Sequence, residues 1–146
     1  MTSRPHRRVV VIGDGGWGTT LAMLLHKNGV KVALWSAFPE HVEELKKDHE
    51  NRRYLPGVKL PEGLFVTADP FAAAQDAELA VSVVPTQFLR KVAGTFEDAL
   101  EGDVPVVSAT KGIEIETFKT PSEILIEVLG ERPIAVLSGP SHAEEV

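Results

Sequence analysis

Gly13-Asp14-Gly15-Gly16-Trp17-Gly18 spaces its glycines as G-x-G-x-x-G, directly after a short apolar run and directly before a helical pattern. The spacing alone is a weak signal, because glycine-rich turns are common; the flanking strand and helix give it meaning. In that context Gly13 permits a tight turn, Gly15 lets an anion approach the main chain, and Gly18 lets the helix pack close to the strand. Free amides and the positive end of the helix dipole then suit the diphosphate bridge of a dinucleotide. Trp17 reads two ways, as a ring packed under the turn or as a wall beside the ligand.

Further polar groups stand where other apolar stretches end. Lys111 follows Val104 to Ala109 and precedes Gly112, so its ammonium could bind a phosphate or polarise a carbonyl; taken singly, it reads first as a solvated loop lysine. Gly139 and Ser141 could offer an amide and a hydroxyl to the same ligand, or simply form a proline turn leaving a strand. After the second strand many such folds carry an acidic residue that binds the adenosine ribose. Here the sequence runs Leu34-Trp35-Ser36-Ala37-Phe38, with neither carboxylate nor arginine. Ser36 could reach a ribose hydroxyl and Arg52 or Arg53 a 2′-phosphate, or all three are ordinary loop residues, so NAD and NADP both stay open.

The elements that must position these groups alternate regularly. Arg8 to Ile12 is a β-branched run without polar alternation, as in a parallel strand covered on both faces. The pattern predicts a helix over Thr19 to Asn28 closed by Gly29, a strand over Val30 to Trp35, and a charged helix over Pro39 to Glu50. Asn51 to Pro61 reads as a polar loop, Leu64 to Thr67 as a strand, and Asp69-Pro70 as the cap of a helix reaching Gln75. Strands follow at Leu79 to Val84, Val104 to Ala109 and Ile134 to Leu137, with helices at Thr86 to Leu100 and Ser122 to Leu129. Six strands alternating with helices predict an α/β fold of the Rossmann type, doubly wound, with a mainly parallel sheet and helices on both faces. Residues 1–146 read as one domain without repeats or an internal linker.

Composition narrows the function. A hydrophobic share of 43% and a charged share of 25% fit a globular chain. A net charge of -6 argues against nucleic acid as a partner. With no cysteine there is neither a disulfide nor a thiolate metal site, and no metal is expected. The apolar run Val9 to Ile12 is too brief for a signal peptide or a membrane span, which points to a soluble intracellular protein.

Four separated segments together resemble one family. Gly13-x-Gly15-x-Trp17-Gly18-Thr19, Tyr54-Leu55-Pro56-Gly57 with Leu60-Pro61, Ala109-Thr110-Lys111-Gly112, and Ser138-Gly139-Pro140-Ser141-x-Ala143-x-Glu145-Val146 look like the pattern of NAD(P)-dependent glycerol-3-phosphate dehydrogenases. The resemblance implies hydride transfer between C2 of glycerol 3-phosphate and a nicotinamide, giving dihydroxyacetone phosphate, in glycerophospholipid synthesis. It implies cofactor contacts at Gly16 and Trp17 in the turn, at Ser36 and Ala37 near the adenosine end, at Tyr54, and at Ala143. Lys111 matches a lysine shared by cofactor and substrate, and Gly139 and Ser141 match substrate-binding positions.

The chain also departs from that pattern. Ala37 stands where many relatives carry Arg or His, which weakens a preference for NADP; His142 replaces a usual Phe, and Gly16 a usual Ser or Ala. The family's helical second domain, with its catalytic lysine, lies outside these residues, so no catalytic base is expected here and the chain alone is expected not to turn over. An apolar surface is expected where that domain would dock, leaving room for self-association as a homodimer. Two other readings compete: a free-standing dinucleotide sensor, and the cofactor domain of a related 3-hydroxyacid dehydrogenase. Thr110-Lys111-Gly112 with Gly139-Pro140-Ser141 favours the glycerol-3-phosphate enzyme over the latter.

Overall fold

The computed structural model describes residues 7–146. The opening strand β1 (Arg8–Ile12) is nearly inaccessible, and its side chains divide between two cores. Val10 and Ile12 enter one apolar cluster with Trp35, Phe96 and Ile124, whereas Val9 and Val11 enter another with Leu21, Leu34 and Leu45. A strand covered on both faces has no reason to alternate polar and apolar residues, and this one does not.

Six strands form one parallel sheet: β1, β2 (Lys31–Trp35), β5 (Phe65–Thr67), β6 (Leu79–Ser82), β7 (Val106–Ser108) and β8 (Ile134–Val136). Their spatial order is β5-β2-β1-β6-β7-β8, with Val10 opposite Ala33 on one side and Ala80 on the other. The chain winds outward from β1 in both directions, which leaves a crevice between β1 and β6 at their carboxyl ends. Helices α1 (Gly16–Lys27) and α2 (Pro39–Asp48) cover one face. Helices α3 (Pro70–Ala74), α4 (Thr86–Phe96) and α5 (Pro121–Leu129) cover the other, where Trp35 meets Phe96 edge-to-face at 5.1 Å.

Local chemistry sets the helix ends. The Asp69 carboxylate accepts from the Phe71 amide at 2.9 Å, as the sequence predicts for its cap, and Thr120 with Glu123 forms a reciprocal capping box on α5. Gly29 takes φ +80 just past α1, the left-handed turn that glycine tolerates best.

Two expectations need correction. Helix α2 stops at Asp48 rather than Glu50, because His49 turns left-handed (φ 49) and Glu50 enters a strand. The stretch from Asn51 to Pro61 is not simply a loop: β3 (Glu50–Asn51) and β4 (Leu55–Lys59) pair antiparallel as a small separate hairpin. The Glu50 carboxylate accepts from the Gly57 amide at 2.7 Å, and the buried Asn51 side chain fastens the hairpin to the body of the fold. At the other end, edge strand β8 leaves Val136 and the following Leu137 exposed.

Candidate functional site

The glycine turn lies at the crevice between β1 and β6, and the three spaced glycines differ in what surrounds them. Gly13 has φ +118, and a Cβ there would stand 2.5 Å from the Val83 carbonyl oxygen. A Cβ on Gly18 would stand 2.0 Å from the Gly13 carbonyl oxygen, so α1 touches the turn backbone to backbone. Apart from its chain neighbours, Gly15 has no protein atom within 4 Å of such a Cβ; its α-carbon faces open space. Two glycines are thus required by the protein's own packing, and the third leaves room for something else.

Main-chain polarity is arranged to match. The Asp14 carbonyl accepts from the Asn51 side chain at 2.8 Å and from the Thr19 hydroxyl at 3.2 Å. Because the peptide is planar and trans, that inward carbonyl turns the Gly15 N–H to the opposite side. Among the described residues, the first-turn amides of Gly16, Trp17 and Gly18 have no protein acceptor, and no side chain caps α1. Free N–H groups at a helix start, with no acidic side chain in its first turn, favour an anion.

Sequence reasoning missed the groups that brace this turn. Asp14, an unspecified position in the glycine pattern, is buried, and its carboxylate accepts from His41 Nδ1 at 2.5 Å. His41 lies on the charged helix α2 yet is only 1% exposed, with the Tyr54 ring edge-on at 5.6 Å. Asn51 bonds the Thr19 hydroxyl at 2.9 Å, and its oxygen accepts from the Tyr54 amide. The signal available was a carboxylate inside a turn rich in free amides, which needs a partner; nothing in the sequence named His41.

Gly16 also differs from expectation. The sequence reading notes only that it replaces a usual Ser or Ala. In the structure a Cβ there would sit 2.8 Å from the Tyr54 carbonyl oxygen and 3.7 Å from Ala143 Cβ. The hairpin and the C-terminal turn, a short 3-10 helix over Ala143–Glu145, close on the glycine loop from outside. Thr20 fixes that turn by donating to the Ala143 carbonyl at 3.2 Å. Trp17 is half-buried and packs against the cluster on the α1 face.

The second group of predicted residues also converges. Lys111 Nζ donates to the Ser141 hydroxyl at 2.6 Å and to the Gly139 carbonyl at 3.2 Å, although 30 and 28 positions separate them. Helix α4 pins the loop that carries this lysine. The Thr86 hydroxyl donates to the Lys111 carbonyl, the Gln87 amide brackets Ile113 and Ile115, and Arg90 grips Glu114 through two nitrogens at 2.9 and 3.0 Å.

The Arg90 hydrogen bond, helped by Thr117, holds the Glu114 carboxyl down at about 2 against an ordinary 4.5. A depressed carboxylate stabilises the fold above its unfolded value, and that contribution disappears as pH falls from 4.5 toward 2. Arg90→Met should return the Glu114 titration toward 4.5, read by carboxyl-carbon NMR; an unmoved titration near 2 would refute the assignment.

At the predicted adenosine end, Ser36 is fully buried and its hydroxyl bonds the Phe38 amide at 3.2 Å, so in this structure it shapes the turn after β2. Ala37 is exposed. Arg53 is held by Glu44 at 2.6 and 2.9 Å, and Arg52 by Glu50 at 3.0 Å. Both arginines are engaged with neighbouring carboxylates rather than reaching toward β2. Among the described residues no helix is long and apolar enough to cross a membrane.

A parallel sheet wound in this order, with a glycine turn at the switch point, defines a Rossmann-type domain. Residues 8–146 match the family described as NAD-dependent glycerol-3-phosphate dehydrogenase N-terminus, and the chain belongs to that family. It is 46% identical over 142 residues to a glycerol-3-phosphate dehydrogenase [NAD(P)+] of Chlorobium phaeobacteroides, covering 95% of this chain and 42% of that protein. A relative of the same name from Thermus thermophilus is 48% identical over 141 residues, covering 95% and 42%. The crystal structure of glycerol-3-phosphate dehydrogenase from Coxiella burnetii superposes with a TM-score of 0.89 at 33% identity, covering 97% of this chain and 43% of that one. The chain thus spans about two fifths of the length of the relatives it matches.

Proposed function

We propose that this chain is the cofactor-binding part of an enzyme that interconverts sn-glycerol 3-phosphate and dihydroxyacetone phosphate with NAD(H) or NADP(H). The observation that carries the reading is the unfilled space over Gly15, facing first-turn amides that have no protein acceptor among the described residues. Residues 1–146 act as one nucleotide-binding domain, and a separate helical part of the enzyme supplies the catalytic base. The matched family description and the relatives' printed names support the substrate and the coenzyme.

The coenzyme, when bound, supplies the nicotinamide that accepts or returns hydride. The chain's own residues do the rest. Gly13 and Gly18 fix the turn, and the amides from Gly15 to Gly18 receive the diphosphate. Gly16 lets Tyr54 and Ala143 close over that corner, with Trp17 packed beside it. Ser36 shapes the adenosine end, where Ala37 presents a small exposed surface. That surface, with Arg52 and Arg53 both engaged, supports NAD over NADP. Lys111, oriented by Ser141 and Gly139, offers its ammonium to the substrate. Such work suits a cysteine-free protein of the cytoplasm.

Tryptophan emission tests the reading. Trp35 is buried with its indole N–H on the Ala68 carbonyl, so a change on adding coenzyme reports chiefly Trp17. NADH should quench the emission at lower concentration than NADPH, and Trp17→Phe should remove most of the change. No response to either at about millimolar concentration, a free energy near 4 kcal/mol, would sink the proposal.

A further inference from the structure

Resting on the dinucleotide reading of the glycine turn, we infer that His41 is a positioning residue for the cofactor. It donates to the buried Asp14 carboxylate, which would otherwise stand unpaired beside the diphosphate. Asp14 lies between Gly13 and Gly15, inside the turn whose amides serve the anion. A carboxylate there is a like charge beside a ligand carrying two more, and at 8% exposure water screens it poorly. His41 resolves the conflict. A carboxylate only accepts hydrogen bonds, so Nδ1 of His41 carries the hydrogen in the 2.5 Å contact with Oδ2. The imidazole is itself 1% exposed and is held by the Tyr54 ring, so it has no alternative place to go.

The same contact links the turn to the rest of the nucleotide cleft. His41 belongs to α2, which begins immediately after Ser36 to Phe38, and Tyr54 belongs to the hairpin whose carbonyl closes on Gly16. One buried pair therefore holds the carboxylate of the phosphate corner and joins that corner to the segments on either side. Asn51 holds the Asp14 carbonyl independently, so the turn keeps its backbone path when the carboxylate loses its partner.

That separation makes the inference testable by charge rescue. NADH affinity of the chain would be measured by tryptophan quenching for the parent, His41→Ala, Asp14→Asn and the double variant, with circular dichroism confirming each fold. His41→Ala should weaken NADH by about tenfold or more, since it leaves an unpaired carboxylate beside the diphosphate. Asp14→Asn combined with His41→Ala should return the affinity to within about threefold of the parent, a non-additivity that a purely structural histidine cannot produce. If the double variant binds as weakly as His41→Ala, or if His41→Ala binds like the parent, the inference is overturned while the function stands. A parent chain that does not bind NADH removes the function and this inference together. Should His41→Ala fail to fold, His41→Gln, which keeps a donor on the carboxylate, is expected to bind within about threefold of the parent; a loss of tenfold there overturns the inference equally.

Discussion

Gly18→Ala is expected to abolish detectable NADH binding and to cost about 2–4 kcal/mol of stability. The added methyl would lie 2.0 Å from the Gly13 carbonyl oxygen and 3.0 Å from its carbon. Those are backbone atoms at the tightest point of the turn, where Gly13 is already held at φ +118 with its amide on the Trp35 carbonyl at 3.1 Å. Neither partner can yield by rotating a side chain, so α1 must lift from the sheet or the turn must unwind. Both responses displace the amides that would receive the diphosphate. Gly15→Ala is the informative contrast. Its backbone at φ -64 suits alanine and its Cβ would meet nothing within 4 Å, so the fold should lose no more than about 1 kcal/mol. The methyl would nevertheless project into the space assigned to the ligand, so binding should still fall sharply. Urea denaturation with NADH titration separates the two. Equal stability loss in both variants, or undiminished binding by Gly18→Ala, would show that the turn is not built as described.

How far this could be foreseen depends on whether an interaction is written in local pattern. Strand β1 was legible to the residue because both its faces are buried, and a fully apolar run bounded by glycine has few other uses. The cap at Asp69 was equally legible, since a short side chain before Pro70 acts on its own helix start. The hairpin was not. Its strands are two and five residues long, one contains Pro56, and its anchorage comes from Asn51 reaching back 37 positions to Asp14. His41 shows the same limit. On a helix rich in Glu and Lys it looks like one more solvated polar residue, and only the tertiary fold buries it against a carboxylate 27 positions earlier. Lys111, Gly139 and Ser141 were foreseen together, because parallel strands deliver their carboxyl ends to one edge and so collect residues distant in sequence. Ser36 ends up just past β2, but its orientation, which the neighbouring Phe38 amide decides, was not legible.

Lys111→Met, made in an enzyme containing this domain, is expected to lower kcat/KM for dihydroxyacetone phosphate by about 10²–10³. Quenching by NADH should change far less. The reason lies in how the ammonium is held. It is exposed, and both its protein partners belong to the segment just past β8, the Ser141 hydroxyl at 2.6 Å and the Gly139 carbonyl at 3.2 Å. Neither partner is a carboxylate, so the charge is oriented without being neutralised and remains available to an anionic or developing negative oxygen. Helix α4 keeps the approach fixed through Thr86, Gln87 and Arg90, none of which depends on the lysine side chain. Removing an exposed ammonium should therefore alter stability by less than about 0.5 kcal/mol, which keeps a catalytic defect from being a folding defect in disguise. Lys111→Arg should recover little, because a planar fork cannot occupy the position of a compact ammonium between a hydroxyl and a carbonyl. A Lys111→Met enzyme retaining kcat/KM within about threefold would show that Ser141 and Gly139 hold this lysine for structure alone.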